Sequence, residues 1–203
     1  MERLIEGYRH FRDSEWPTEK ARYEALAHWG QSPQHLVVAC SDSRVDPQTV
    51  FGAVPGELFV IRNIAGLVPP YEPDAHYHGA SAALEYGVRV LKIPNLVVLG
   101  HGRCGGVQAM VQGAPPNARD FVEPWMRMAE PVLENAPSGI TGEDLLTYCE
   151  TEVVKLSLAN LMSFPWVADA VAAGTLKLQG FRFDIHLGQL TQLDGSGTFA
   201  PVV

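Results

Sequence analysis

The sequence predicts an α/β fold, in which a mainly parallel β-sheet has helices on both faces. Short apolar runs rich in β-branched residues alternate along the chain with segments whose apolar residues recur at helical spacing. These runs do not alternate apolar with polar residues, which indicates strands that are buried on both faces. The length of 203 residues and the 46% content of hydrophobic residues fit a single domain over residues 1–203.

Residues 1–30 are predicted to form two helices. The apolar residues at helical spacing in the first helix are Leu4, Ile5, Tyr8 and Phe11. A second helix opens at Pro17 and ends at Gly30. Because the rest of the first helix is polar, we expect an arm that lies on another surface, such as a second subunit, rather than an element of the core.

The body of the chain alternates strands with helices. Buried strands are predicted at 35–40, 57–61 and 95–100. A short helix begins at Asp46 and Pro47, where the aspartate caps the helix and the proline takes its first position. Longer helices are predicted at 79–92, 105–112, 119–134 and 142–163, and a half-exposed strand at 176–183.

Composition and charge argue against several classes of protein. The formal net charge of −8 disfavours a nucleic-acid-binding protein, which needs a basic face. The longest apolar runs are too short to span a bilayer, and the first residues lack the pattern of a secretory signal. The three cysteines have no spacing typical of a disulfide framework. We therefore expect a cytoplasmic enzyme with no nucleic-acid or membrane partner.

Two segments carry most of the chemically active side chains, and each follows a predicted strand. Residues 40–44 read CSDSR, and residues 100–106 read GHGRCGG. The carboxyl ends of parallel strands meet at one edge of a sheet, where ligands bind. Two thiolates and one imidazole suit Zn²⁺, and three protein ligands leave a fourth position open, as in catalytic sites. The sequence thus predicts zinc on Cys40, His101 and Cys104; the alternative is that the cysteines are small buried apolar residues.

Asp42 and Arg44 lie in the same loop as Cys40. Beside a zinc site, a carboxylate can accept a hydrogen bond from bound water, and a guanidinium can hold that carboxylate in place and keep it ionised. Zinc moves the pKa of bound water towards neutrality. We therefore predict a catalytic role for both residues; the alternative is a solvated charge pair that caps a turn.

These two segments, with residues 55–65 (PGELFVIRNIA) and 81–86 (SAALEY), resemble the β-class carbonic anhydrases of the prokaryotic and plant-like type. The resemblance covers about residues 1–192. It implies a four-stranded parallel sheet with one antiparallel strand added at its edge. It also implies a homodimer, or a homotetramer built from dimers, in which the helices of residues 1–30 embrace the partner.

The resemblance implies an activity as well, the reversible hydration of carbon dioxide to bicarbonate and a proton by a zinc lyase. In that activity Asp42 and Arg44 orient the zinc-bound hydroxide. An alternative on the same site is hydrolysis of carbonyl sulfide or carbon disulfide. An alternative from another class is a non-catalytic zinc module used for oligomer assembly, against which the two charged residues argue.

The resemblance further assigns positions that line the pocket for carbon dioxide or bicarbonate. Gly106 matches a position whose backbone N–H contacts the substrate. Phe59, Ile64 and Tyr86 match apolar or aromatic lining positions, some contributed by the partner subunit; their alternative is ordinary core. Val54 stands where the plant-like members place a glutamine near the substrate.

Regulation is the point at which this sequence departs from part of the family. Val37, Arg62 and Phe183 stand where the regulated members have a Trp–Arg–Tyr pocket for bicarbonate, so we expect no full bicarbonate switch. Closure of the site at low pH is left open. His78 is a candidate proton relay, with an exposed loop histidine as the alternative. Cys149, in an apolar helix, is predicted to fill the core.

Overall fold

Six strands form one sheet in the computed structural model, which describes residues 1–202. They are β1 (His35–Cys40), β2 (Leu58–Asn63), β3 (Asn95–His101), β4 (Lys177–Asp184), β5 (Gln189–Leu193) and β6 (Phe199–Pro201). Their order is β2-β1-β3-β4-β5-β6; the first four strands are parallel, and β5 and β6 are added antiparallel. The predicted α/β fold is confirmed, with the correction that the parallel sheet is extended by two antiparallel strands instead of one.

The N-terminal arm is a nearly continuous helix. α1 (Glu2–His10) passes through a π-helical turn at Phe11–Glu15 into α2 (Trp16–Trp29), so no loop separates the two predicted helices. The π-helical turn precedes Pro17, which has no backbone N–H to continue the regular pattern of hydrogen bonds. No residue of these three segments is buried, which confirms an arm outside the core.

The remaining helices surround the sheet. They are α3 (Pro47–Phe51), α4 (Gly79–Glu85), α5 (Gly105–Gln112), α6 (Val122–Arg127), α7 (Glu130–Glu134), α8 (Gly142–Leu161) and α9 (Pro165–Ala172), and a π-helical turn at Tyr86–Val90 follows α4. The Asp46 side chain accepts a hydrogen bond from the backbone of Thr49, which confirms the predicted cap of α3. The helix predicted at 119–134 is two short helices, because Pro131 lacks an N–H and its ring excludes the carbonyl of Arg127 from a continuing helix. None of the described helices is long and apolar enough to cross a membrane.

Alternate residues of the central strands point to opposite faces of the sheet, and both faces carry a core. On one face, Val38 and Val98 pack among side chains from α4, α8 and α9. On the other face, Val37 and Val97 pack with Phe51 of α3 and with side chains of β4. A cavity of about 460 Å³ opens on this second face, lined in part by Val37, Phe51 and Val97.

The sheet brings the two chemically active segments to one edge. β1 and β3 are parallel neighbours with Ala39 opposite Leu99, so Cys40 and His101 leave the sheet at the same end. The turn that follows β2 passes close to the end of β1. Gly66 has a φ of 63° in this turn, and a Cβ there would lie 3.3 Å from the backbone nitrogen of Cys40. Glycine is therefore required both by conformation and by close approach.

Candidate metal centre and active site

Three side chains meet where β1 and β3 end. Cys40 is the last residue of β1, His101 is the last residue of β3, and Cys104 is the N-cap of α5. Their ligand atoms lie within 4.8 Å of one another. The two sulfur atoms lie 3.9 Å apart although the residues are separated by 64 positions. All three residues are buried, and both cysteines are free.

The donor atoms of this trio fit zinc. Two thiolates on a tetrahedral zinc with Zn–S bonds of about 2.3 Å lie about 3.8 Å apart, close to the observed separation of 3.9 Å. His101 Nδ1 lies 2.8 Å from the carbonyl oxygen of Gly102, to which it donates, so the lone pair of Nε2 faces the sulfurs. Nε2 is buried without a hydrogen-bond partner among the described residues. Such an atom is rare unless a ligand satisfies it.

The environment favours ionisation of Cys40, and a thiolate is the form that binds a metal. The hydrogen bond from Cys104 lowers the pKa of Cys40 to about 4, against the effect of burial and with a further contribution from His101. The pKa of Cys104 is raised because it donates that hydrogen bond and is buried. The backbone N–H groups of Gly106 and Val107 at the start of α5 act in the opposite direction and stabilise the Cys104 thiolate.

Asp42 and Arg44 form a two-point ion pair beside the trio. Arg44 Nε donates to Asp42 Oδ1 at 2.9 Å, and Nη2 donates to Oδ2 at 2.6 Å. Nη2 also donates to the carbonyl of Arg103 at 2.9 Å, which joins the loop after β1 to the loop after β3. The Arg44 guanidinium holds the pKa of the Asp42 carboxyl well below its usual range. The predicted charge pair is therefore present at the metal centre, and Asp42 is ionised.

A cavity of about 530 Å³ lies next to the trio. Its lining includes Cys40, Asp42, Ile64 and Gly106. Gly106 is needed there, because a Cβ would lie 2.7 Å from Cγ2 of Ile64. The structure thus brings two of the predicted substrate residues to the metal centre. Their contact with substrate stays a prediction. For Gly106, the backbone N–H that would contact the substrate also stabilises the Cys104 sulfur.

The other three predicted substrate residues lie elsewhere in this chain. Phe59 packs against the core and stacks on Tyr86, with ring centroids 6.1 Å apart. The backbone N–H of Val54 donates to Glu57 at 2.9 Å. None of the three lines the cavity next to Cys40. Their substrate role stays a prediction that depends on a partner subunit.

The remaining predicted positions fall outside the metal centre. Val37 is buried in the sheet and Phe183 packs beside the same core cluster, so neither offers a polar group to an anion. His78 lies 2.6 Å from Asp74 and lines a different cavity, and its predicted relay role stays untested. Cys149 is fully buried in an apolar cluster, as predicted.

Two supporting contacts have no counterpart in the sequence prediction. Glu150 of α8 is buried and accepts two hydrogen bonds from Arg182, at 2.7 and 3.1 Å, and the backbone N–H of Cys104 lies 3.4 Å from its other oxygen. Trp125 Nε1 donates to the carbonyl of Ile64 at 2.9 Å. The signal for the first contact is a carboxylate within an otherwise apolar helix face.

Comparisons with known proteins agree on one family. A family model described as "Carbonic anhydrase" matches residues 35–190. Beta carbonic anhydrase 3 of Arabidopsis thaliana is 36% identical over 202 residues, which cover 96% of this chain and 78% of that protein.

Solved structures give the same result. The β-carbonic anhydrase CcaA superimposes with a TM-score of 0.93 at 32% identity, over 100% of this chain and 92% of that one. A Coccomyxa β-carbonic anhydrase in complex with acetazolamide gives 0.81 at 29% identity, over 94% and 84% of the two chains. One of two tetrameric β-carbonic anhydrases of Sordaria macrospora gives 0.81 at 25% identity, over 98% of each chain.

Proposed function

The chain belongs to the β class of the carbonic anhydrase family, whose members are zinc-dependent carbonate dehydratases, and on that premise we propose that its own zinc centre hydrates carbon dioxide reversibly to bicarbonate and a proton. The observation that carries the proposal is the ion pair of Asp42 and Arg44 beside the trio of Cys40, His101 and Cys104. A purely structural zinc site has four protein ligands and needs no ionised carboxylate at its edge.

The trio would hold the metal through the two sulfurs and Nε2 of His101. Zinc bound there supplies the Lewis acidity that generates hydroxide from water near neutral pH. The Gly102 carbonyl fixes the tautomer and the ring orientation of His101 by accepting from Nδ1 at 2.8 Å. The backbone N–H groups at the start of α5 favour the thiolate of Cys104, against the hydrogen bond to Cys40 and the burial that together raise its pKa.

Asp42 orients the attacking oxygen. Its carboxylate is kept ionised by Arg44, so it accepts a hydrogen bond and cannot donate one. An oxygen nucleophile held at the metal would donate a hydrogen bond from its O–H to this acceptor, which would leave a lone pair free to face the substrate carbon. Arg44 positions the Asp42 carboxylate, since it contacts both Asp42 and the Arg103 carbonyl of the neighbouring loop.

The cavity beside the trio suits a small uncharged substrate. Ile64, Ala109 and Val122 give it an apolar wall, and Gly106 leaves space next to the metal ligands. An apolar wall admits carbon dioxide and leaves the nucleophile poorly solvated, which makes it more reactive.

Self-association is part of the proposal. The arm of residues 1–29 buries none of its own residues, and the sheet face opposite α8 has an open apolar cavity. We propose that the arm of one copy embraces a second copy, and that the partner brings Phe59 and Tyr86 towards the site. Sedimentation of the full chain tests this: a dimer or a tetramer agrees with it, and a monomer at assay concentrations contradicts it. A cytoplasmic location stays a prediction.

The reaction is tested by measuring turnover of the zinc-loaded protein on carbon dioxide and on carbonyl sulfide. Fast hydration of carbon dioxide supports the proposal, whereas negligible hydration together with rapid hydrolysis of carbonyl sulfide would favour the alternative chemistry. No specific contact in the described residues favours that alternative. Zinc content without either activity would indicate a structural zinc module.

A further inference from the structure

Arg62 makes an unusual set of contacts with the loop that carries the catalytic aspartate. This residue lies in β2, opposite Ala39 at the end of β1. We call residues 41–46 the dyad loop. The Arg62 guanidinium donates from Nε to the carbonyl of Cys40 at 3.0 Å, and from Nη2 to the carbonyls of Asp42 at 2.7 Å and Val45 at 2.8 Å.

These contacts span the whole loop. Cys40 is the last residue of the strand, Asp42 is the catalytic carboxylate, and Val45 is followed by the cap of α3. Arg62 Nη1 also lies 3.5 Å from the carboxylate of that cap, Asp46. A planar guanidinium with several fixed donors can bind such a set of acceptors, and hydrogen bonds from a charged donor are stronger than neutral ones.

We propose that Arg62 is a positioning residue, which sets the place of the Asp42 carboxylate by fixing the backbone of the dyad loop. The last backbone hydrogen bond from this segment to β2 runs from the N–H of Ser41 to the carbonyl of Asn63, at 2.7 Å, so contacts of the loop beyond Ser41 come from other groups. Arg62 supplies two of them, to the carbonyls of Asp42 and Val45, and a third to the carbonyl of Cys40 at the end of β1, without touching the carboxylate of Asp42 or the metal ligand atoms. The effect on catalysis rests on the proposed function; the effect on the loop does not.

The same contacts bear on regulation. Nε, Nη1 and Nη2 of Arg62 are all directed at the dyad loop or its cap. An anion that bound Nε or Nη2 in place of these acceptors would displace the carbonyls of Cys40, Asp42 and Val45. With Val37 and Phe183 as apolar neighbours of the sheet core, the role of Arg62 in this chain is to hold the loop.

Amide hydrogen exchange tests the loop directly. In the zinc-loaded protein, Arg62→Gln should speed exchange in the dyad loop by about tenfold or more, because loss of one guanidinium frees three carbonyls. Arg62→Lys keeps the positive charge on a single nitrogen, and it replaces Arg62→Gln in the exchange experiment if that variant fails to fold. The matched control is Arg89→Gln, an exposed arginine paired only with Glu85 among the described residues. Unchanged exchange in the dyad loop would overturn the inference.

Kinetics then test whether the loop acts through Asp42. Arg62→Lys should lower kcat for carbon dioxide by at least about tenfold, because a misplaced group loses much of its effect, with little change in zinc content. In the Asp42→Asn background the same substitution should change kcat less than about twofold, since coupled residues are not additive. Equal losses in both backgrounds contradict a positioning role. If the unmodified, zinc-loaded chain does not hydrate carbon dioxide, the proposed function fails and the exchange result alone decides on Arg62.

Discussion

Oδ2 of Asp42 lies 3.9 Å from Nε2 of His101. A carboxylate oxygen therefore stands beside the buried lone pair that faces the two sulfurs. At this distance it is close enough to interact with the fourth ligand of a metal held by the trio. Arg44 fixes the orientation of that oxygen, because Nη2 lies 2.6 Å from it. These two distances place Asp42 where a substitution should alter the chemistry of the site without removing a ligand of the trio.

Asp42→Asn should lower kcat for carbon dioxide by about a hundredfold or more, because it removes a positioned, charged acceptor. Zinc content should stay at the unmodified level, since none of the three ligands changes. Stopped-flow hydration assays with parallel metal analysis check both points. Asp120→Asn is the matched control, as this exposed carboxylate lines a neighbouring cavity without pairing with Arg44. Equal activities of Asp42→Asn and the control contradict the role of Asp42.

Gly106→Ala should crowd the substrate cavity. The added Cβ would lie 2.7 Å from Cγ2 of Ile64 and 3.0 Å from Cβ of Ala65. Such overpacking costs about 1–3 kcal/mol of stability, and we expect kcat/KM to fall with it. The neighbouring Gly105→Ala is the control, because a Cβ there meets nothing within 4 Å. If the two variants have the same unfolding temperature and the same kcat/KM, the prediction that Gly106 is closely packed is wrong.

Glu150→Gln should destabilise the fold and weaken zinc binding. The ion pair with Arg182 is buried, and removal of the Glu150 charge leaves Arg182 only its longer contact with Asp184, at 3.3 Å; breaking a buried pair costs about 3–5 kcal/mol. The loss of support behind Cys104 should also weaken zinc affinity about tenfold or more. Glu143→Gln is the control, because its pair with Arg103 is exposed and contributes less than about 1 kcal/mol. Denaturation and competition with a zinc chelator measure both effects; equal values for the two variants contradict the prediction.

Asp184 should give a pH-dependent contribution to stability. Backbone hydrogen bonds from Leu187 and His186, with the charge of Arg182, lower the pKa of Asp184 against the effect of burial. A lowered pKa in the folded state means that the contribution is present above the ordinary value of about 3.9 and is lost as the pH falls through the folded pKa. Asp184→Asn should therefore reduce the free energy of unfolding by about 1 kcal/mol at neutral pH.

The measurement for Asp184 is the difference in unfolding temperature between variant and unmodified protein at pH 7 and at pH 3. The difference should be smaller at pH 3, which lies below the ordinary pKa, because protonation there competes with the hydrogen bonds and the charge that favour the ionised carboxyl. Asp169→Asn serves as the control, since this exposed aspartate has no ion pair among the described residues. A difference that is the same at both pH values contradicts the assignment.

The sequence predicts the site better than it predicts the outer parts of the fold. Cys40, His101 and Cys104 are found together because each lies at or shortly after the end of a strand with a plain apolar pattern, and the register of parallel strands then fixes where they meet. Local patterns suffice for that result. By contrast, β6 at Phe199–Pro201 is only a short edge strand. Its existence depends on pairing with β5 and leaves no alternating pattern to detect.

Other features depend on contacts between distant parts of the chain. The partner of Glu150 is Arg182, on a strand 32 residues later, and neither spacing nor composition identifies it. Arg62 is visible in the sequence, but its three carbonyl acceptors become apparent only when β2 lies beside β1. Val54, Phe59 and Tyr86 illustrate a different limit, because a role that depends on a second subunit has no geometry within one chain.

X-ray absorption at the zinc K edge of the purified chain tests the metal centre most directly. The expected coordination shell contains two sulfurs, one nitrogen and one oxygen, from Cys40, Cys104, His101 and an exchangeable ligand. Cys149→Ala should leave this spectrum unchanged, whereas Cys104→Ala should remove a sulfur or abolish zinc binding. A shell with three sulfurs, a shell without sulfur, or a folded and active protein that contains no zinc would contradict the assignment of this trio as the catalytic metal centre.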